Sequence, residues 1–276
     1  MRVLVVTPTL GTSPWLAETV ASVAAVRREL THVLVTPSAG VAALQARFPR
    51  LQVVAEPEPA SGLYAAVNAG AAAVFGWDAL TYINDDDVLL PGFAAVVDAA
   101  ARCAAEDTEL LVYGGVRLIG PDGRRLGAIP VSPWPRLNRL LYAQRLEPVY
   151  QHGTVLARCA WAKLGGFDPA WKLCGDSDLL ARACLAGIPA RRVSGAVAAF
   201  RLRPGQLTKR REEMLAERMA IDRRLGLLAQ RPGLAHGWAR LVFRLANLPV
   251  YAERILRHGY RTFDEVLERG GSPDQT

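Results

Sequence analysis

The sequence predicts an α/β protein: a doubly wound sheet followed by a helical extension. Three observations predict it. Short β-branched apolar runs alternate with helix-patterned stretches at the spacing of βαβ units. The first of these runs carries four consecutive apolar residues, Val3 to Val6, as a strand covered on both faces does. Polar residues 7–9, 56–61 and 85–87 each fall at the carboxyl end of a run, the edge where open α/β sheets bind ligands.

Residues 2–7 form the first run, closed by Pro8 and predicted as a buried parallel strand. Residues 9–13 are a polar turn. Residues 14–30 carry a helical pattern through Leu16, Val20, Val23 and Ala24, with Ser13 or Thr12 as cap and Pro14 in the first turn. A second strand covers 32–35, a short helix 40–48, a third strand 51–55, an Ala-rich helix 62–75 and a fourth strand 79–83. Pro91-Gly92 opens a helix that runs through Cys103. Residues 109–113 are a strand, and 116–119 and 124–128 flank the turn Gly120-Pro121-Asp122-Gly123 as a hairpin. Residues 130–150, punctuated by Pro133, Trp134 and Pro135, are predicted as a loop with short helical pieces, long enough to cover a substrate. A strand over 150–156, a helix over 159–164 ended by Gly165-Gly166, a helix over 176–186 stopped by Gly187 and a strand over 190–200 complete the sheet.

From Glu212 the chain is helical and basic. Trp238, Leu241, Val242 and Leu245 share one helical face flanked by Arg240 and Arg244, and Tyr251, Ile255 and Leu256 continue the pattern after Pro249. Packing on the sheet or a homodimer contact is the preferred reading of these helices, and peripheral membrane contact the alternative. The residues after Gly270 are expected to be disordered.

Hydrophobic residues make up 51% of the 276 and charged residues 21%, which supports a full core. The net charge of +7 fits nucleic acid, anionic lipid or a phosphate-bearing substrate. No basic stripe interleaved with aromatics supports nucleic acid. Cys103, Cys159, Cys174 and Cys184 form no CxxC pair and no zinc spacing with a histidine, which points to a reducing compartment. No stretch approaches ~18 uninterrupted apolar residues, and the first residues lack a signal-peptide core. The expected location is the cytoplasm, at the inner face of a membrane if the terminal helices bind one.

The chemistry centres on Tyr82-Ile83-Asn84-Asp85-Asp86-Asp87. Adjacent carboxylates repel and are not tolerated unpaired inside a sheet. At a strand end they converge on a hard divalent cation, Mn2+ or Mg2+, that also holds substrate phosphates; the plainer alternative is a solvated acidic turn. Downstream, Asp176 opens a helix, where it serves either as a cap or as a general base.

Residues 56–64 (Glu-Pro-Glu-Pro-Ala-Ser-Gly-Leu-Tyr), Asn68-Ala69-Gly70, residues 83–87 and Pro91-Gly92 resemble the nucleotide-sugar half of family 2 glycosyltransferases with the GT-A fold. Gly165-Gly166-Phe167-Asp168, then Gly175-Asp176-Ser177-Asp178-Leu179 and Arg182, resemble their acceptor half. The resemblance implies a Rossmann-like mixed sheet over residues 1–205, divided into a nucleotide-sugar half (1–115) and an acceptor half (116–205), with a helical extension over 206–270 and a tail over 271–276. It implies a metal-dependent, inverting transfer of one sugar from a nucleotide-diphosphate sugar to the hydroxyl of a sugar, lipid-linked or small-molecule acceptor, in polysaccharide, glycolipid or glycoconjugate biosynthesis. The Gln-x-x-Arg-Trp element of processive relatives is absent after Asp178, which favours a single transfer.

By motif position, Asp87 is expected on the metal, Asp86 on the ribose and Asp176 as the base. Asp85 takes the variable middle position, with a shifted assignment onto Asp85 and Asp87 open. Pro8, Thr9, Glu56, Glu58, Tyr64 and Asn68 are expected on the nucleotide sugar. His152, Arg201 and Arg203 are expected on the acceptor or diphosphate side, with Lys209 in the same segment. Asp178 has a weaker place there, since it faces another way on its helix and fits a dipole-stabilising role. Trp134 and Trp171 are read as packing residues ahead of sugar-stacking ones. Two departures from the family pattern matter. The second strand ends Thr36-Pro37-Ser38 without an acid, and Gly175 stands where relatives carry Glu. They leave room for a catalytically weakened nucleotide-binding or scaffold protein on the same fold.

Overall fold

The computed structural model describes residues 1–58, 62–104, 109–203, 206, 210–229, 234–259 and 265–266. Pro59-Ala60-Ser61, Lys209 and the predicted tail after Gly270 lie outside the described residues. The elements run β1 (Val3–Pro8), α1 (Leu16–Ala24), β2 (Leu30–Thr36), α2 (Val41–Arg47), β3 (Gln52–Ala55), α3 (Leu63–Ala73), β4 (Ala79–Tyr82), β5 (Val88–Leu89), α4 (Phe93–Ala104), β6 (Leu111–Ile119), β7 (Arg125–Ile129), α5 (Asn138–Ala143), β8 (Val155–Ala157), α6 (Arg158–Leu164), α7 (Gly175–Leu185), β9 (Ala190–Arg201), α8 (Arg211–Arg224), α9 (Leu234–Ala246) and α10 (Leu248–His258).

The strands form one mixed sheet in the order β3-β2-β1-β4-β8-β6-β9-β5, with β7 paired to β6 outside this path. β1 to β4 are mutually parallel. β8 then runs antiparallel to both β4 and β6. The alternation of side chains along β1 builds a core on each face: Leu4 and Val6 pack with α3 and α7, while Val3 and Val5 pack with α4. The sheet is thus doubly wound, as its pattern predicts, and mixed, as the family resemblance implies.

Three elements differ from the sequence reading. β6 is continuous where two runs are expected. Gly114 and Gly115 bridge them at a register shift against β9, and a Cβ on Gly114 would meet Val197 at 2.3 Å. β8 is shorter than the run over 150–156, because Gly153 at φ 69° and the Thr154 amide bonded to the Gln151 carbonyl turn the chain before it. The two-residue strand β5 has no clear local pattern, yet it pairs with β9 and pins the chain leaving Asp87.

The extension also departs from expectation. α8 is densely charged and buries Ile221 and Asp222, and its charges need partners. Glu217 accepts the backbone N–H groups of Lys172, Leu173 and Cys174 at 2.7, 2.8 and 2.6 Å. Arg224 reaches Asp168 and Asp178, both at 2.5 Å. α9 buries Ala239 and Phe243 against Leu141. Trp238, Leu241 and Leu245, read from the sequence as part of a packing face, remain 58%, 56% and 60% exposed. No helix among the described residues is long and apolar enough to cross a membrane.

Candidate active site

The aspartate triplet lies at the end of β4, framed by the end of β1 and by β9. Its members differ in depth. Asp87 is fully buried: its Oδ1 accepts the Arg201 amide at 2.8 Å, its Oδ2 accepts the Asn84 side-chain amide at 2.9 Å, and His152 Nε2 lies 3.3 Å from Oδ2. Its backbone carbonyl accepts the Thr19 hydroxyl at 2.7 Å. Both oxygens thus already take protein donors, so Asp87 is not the outward member that motif position makes it. Asp86 pairs with Arg203 Nε, and burial followed by the neighbouring Asp87 charge pushes its pKa up to about 7. Asp85 is the most open of the three. Its Oδ2 accepts the Thr9 hydroxyl at 2.5 Å, and burial raises its pKa.

Arg201 does not reach toward a diphosphate. Its guanidinium is buried and donates to the Asp86 carbonyl at 2.8 Å, to the Gly120 and Pro121 carbonyls at 3.2 Å and to Glu18 at 2.6 Å. It anchors the triplet loop, with its donors consumed. Arg203, half-buried on the same segment, is the basic residue that faces the carboxylates.

Pro8 ends β1, and Thr9 donates its amide to the Val35 carbonyl at 2.8 Å, which carries its hydroxyl to Asp85. Glu56 follows β3, donates its amide to the Thr36 carbonyl at 2.8 Å and is buried; burial raises its pKa. Glu58 is exposed. The structure therefore brings Pro8, Thr9, Glu56 and the triplet to one sheet edge and leaves Glu58 outside.

The second carboxylate end is Asp176, at the start of α7. Its Oδ1 accepts the Ser177 amide at 2.9 Å and the Tyr64 hydroxyl at 3.1 Å. Among the described residues its Oδ2 has no hydrogen-bond donor. Burial raises the Asp176 pKa, opposed by the Ser177 amide and by His152. Tyr64, in the first turn of α3, thus contacts the candidate base. The missing acid at Gly175 has a steric cause. A Cβ there would meet the Tyr64 ring at 2.6 Å. Gly175→Ala is expected to displace Tyr64, lower stability by about 1–3 kcal/mol and reduce transfer; a urea melt and a transfer assay on one preparation check it.

Two further expectations are corrected. Asn68 clamps the Gly-Gly-Phe turn, donating to the Phe167 carbonyl at 2.8 Å and accepting the Phe167 amide at 3.0 Å, so both ends of its side chain are used. Asp178 is fully buried and paired with Arg182 at 2.8 Å and Arg224 at 2.5 Å. It ties α7 to α8, and Arg182 in turn donates to the Leu164 carbonyl of α6 at 2.7 Å. Trp171 packs beside the core with Arg224 over its ring at 4.7 Å, while Trp134 is 42% exposed.

His152 sits between the two ends. Its ring packs on Phe200 at 4.6 Å. Burial alone would lower its pKa, but the charges of Asp87, Asp176 and Asp86 together raise it. The imidazole thus contacts the triplet through Asp87.

Sequence reasoning missed the supports. Glu147 accepts the Ser177 hydroxyl at 2.6 Å and pairs with Arg218. Glu217 holds the loop before Asp176, and the Trp15 ring lies 5.5 Å from Arg201 and 5.9 Å from Arg203. The available signal was the dense charge of residues 211–224, which requires partners elsewhere.

No protein-family model matches the chain, and no curated protein matches it. Solved structures do. TarS residues 1–349 of S. aureus, in complex with UDP-GlcNAc, is 16% identical over 76% of this chain and 61% of that one, with a TM-score of 0.56. The mannosyltransferase PcManGT of Pyrobaculum calidifontis, in complex with GDP-Man and Mn2+, is 18% identical over 91% and 75%, with a TM-score of 0.53. GalNAc-T7 with UDP, GalNAc and Mn2+ is 15% identical over 97% and 56%, with a TM-score of 0.55. The chain spans 61% of the first TarS structure and 39% of a longer one. The shared architecture is the GT-A fold.

Proposed function

We propose that this GT-A chain moves one sugar from a nucleotide-diphosphate sugar to an acceptor hydroxyl, with inversion at the sugar carbon. The observation that carries the reading is the pair of carboxylate ends: the triplet at the sheet edge beside Thr9, and Asp176 at the start of α7 with its Oδ1 held by Ser177 and Tyr64. Structures of the same fold solved with UDP-GlcNAc and GDP-Man support a nucleotide-sugar donor.

Asp176 is the base. The Tyr64 hydroxyl and the Ser177 amide hold Oδ1, leaving Oδ2 to take the acceptor proton as the acceptor oxygen attacks. The Asp85 and Asp86 carboxylates offer the hard oxygen donors that suit Mn2+ or Mg2+, and Mn2+ is present in two complexes of similar fold. A divalent cation held by Asp85 and Asp86 would offset the negative charge that builds on the departing diphosphate. Asp87 would hold the loop beneath them, and Arg203 would turn from Asp86 to the diphosphate oxygens. Glu56, buried beside the end of β2, would read the nucleobase in place of the acid absent at Ser38. Of the two departures that favour a weakened protein, the one at Gly175 has a steric cause in Tyr64.

The 206–270 extension belongs with the acceptor half, because α8 carries Glu217 and Arg218. Calorimetry with UDP, GDP and dTDP, with and without Mn2+, tests the reading. One nucleotide should bind in a Mn2+-dependent way; binding of none would favour the scaffold alternative. The pH profile gives the sign of the base. Asp176 must be ionised to accept a proton, and its pKa is raised. Transfer should therefore fall as pH drops through a value above the ordinary carboxylate pKa of about 3.9. A profile flat across that range would remove Asp176 from the role.

A further inference from the structure

We propose that the acceptor is a membrane-borne amphiphile with a phosphate-bearing headgroup, bound in an arginine-lined cavity between α5, α8, α9 and α10; the identity of the bound group as acceptor rests on the transferase reading above. The cavity has a volume of about 1000 Å³. Five arginines line it, Arg145, Arg218, Arg240, Arg244 and Arg254, against two carboxylates, Glu147 and Asp222. Those carboxylates are already matched: Arg145 pairs with Asp222 at 2.8 Å, and Arg218 with Glu147 and with Asp222 at 3.6 Å. Among the described residues, exposed Arg240 and Arg244 have no acidic partner. Two guanidinium groups one helical turn apart on α9 therefore face the cavity uncompensated, the arrangement that phosphate oxygens accept.

The cavity adjoins the candidate base. Glu147 in its wall accepts the Ser177 hydroxyl at 2.6 Å, and Ser177 follows Asp176. A headgroup seated on the arginines would thus lie beside the helix end that carries the base.

The rim indicates where such a headgroup comes from. Leu245, Leu248 and Ile255 line the cavity and are 60%, 58% and 47% exposed. They continue into exposed Trp238, Leu241 and Leu256 on the same two helices. An apolar rim around a basic interior complements an anionic headgroup carried on apolar chains, and basic helices with an aromatic and leucine face lie in membrane interfaces. A small soluble acceptor would need the basic interior but not the rim.

Co-sedimentation of the full chain with vesicles, in about 0.1 M salt and without nucleotide, tests the inference. Vesicles of phosphatidylcholine mixed with phosphatidic acid should retain the chain, and vesicles of phosphatidylcholine alone should not. Arg240→Gln with Arg244→Gln should weaken retention roughly twenty-five-fold, about fivefold per arginine. Trp238→Ser should weaken it separately, with circular dichroism confirming that each variant folds. Equal retention by both vesicle types, or a double variant that binds as the parent does, overturns the proposal. So does calorimetric binding of inorganic pyrophosphate in the absence of vesicle binding, which would assign the cavity to a soluble anion. Because no nucleotide is present, failed nucleotide binding would strike the transferase reading and leave this result standing; a chain that binds UDP but not the vesicles would strike this inference alone.

Discussion

Asp176→Asn should lower sugar transfer by ~10²–10⁴-fold while nucleotide binding stays at the parent value. The amide keeps an oxygen for the Ser177 amide and the Tyr64 hydroxyl, which hold Oδ1 at 2.9 and 3.1 Å, so the geometry of the site survives. What it loses is a site that accepts a proton. The acid limb of the parent pH profile should vanish with it, because the raised pKa of Asp176 sets that limb. Parallel measurements of transfer and of nucleotide affinity by calorimetry separate the base from a residue that merely caps α7. A variant that transfers at the parent rate would return Asp176 to the capping role.

Arg201→Met should be the most destabilising single change at the site. The guanidinium is buried and donates to three carbonyls and to Glu18. Removing it leaves the Asp86, Gly120 and Pro121 carbonyls without those donors in a place water does not reach. Leaving buried carbonyls without their donors costs about 1–3 kcal/mol each, and a total of about 3–5 kcal/mol corresponds to a fall in melting temperature of roughly 10 °C for a chain of this size. The Arg201 backbone amide still meets Asp87, so the triplet should loosen without dispersing. A calorimetric melt checks the first effect and Mn2+-dependent nucleotide binding the second. A drop of less than about 2 °C would show that Arg201 is not the anchor.

Most of the nucleotide-side architecture was legible in the chain. Val3-Leu4-Val5-Val6 is a continuous apolar run, and residues 79–83 break theirs only at Thr81, as strands covered on both faces do. The triplet was legible as a candidate site because it follows an apolar strand-like run at the edge where open α/β sheets bind ligands, a position a solvated acidic turn does not require. Residues 114–115 and 150–154 were misread for a local reason. Glycines permit both a bridge across a strand and a turn before one, and the neighbour that decides, Val197 in both cases, is distant in sequence. Tyr64 and Asn68 were assigned to the nucleotide because a spacing of four puts two residues on one helix face. That spacing does not say what the face meets.

By itself, the sequence determined the alternation of strands and helices, the edge at which the ligand groups gather and the two carboxylate clusters. All of these follow from short-range rules of periodicity, turn chemistry and charge. Tertiary structure alone decided which acid of the triplet is sealed beneath the other two, that Arg201 is an anchor and Arg203 the facing cation, that Tyr64 fills the place of a missing acid beside Asp176, and that the apolar face of α9 points outward. Burial and ion pairing depend on which distant segments meet. A carboxylate becomes a cap, a strut or a base according to the donors that long-range packing brings to its oxygens.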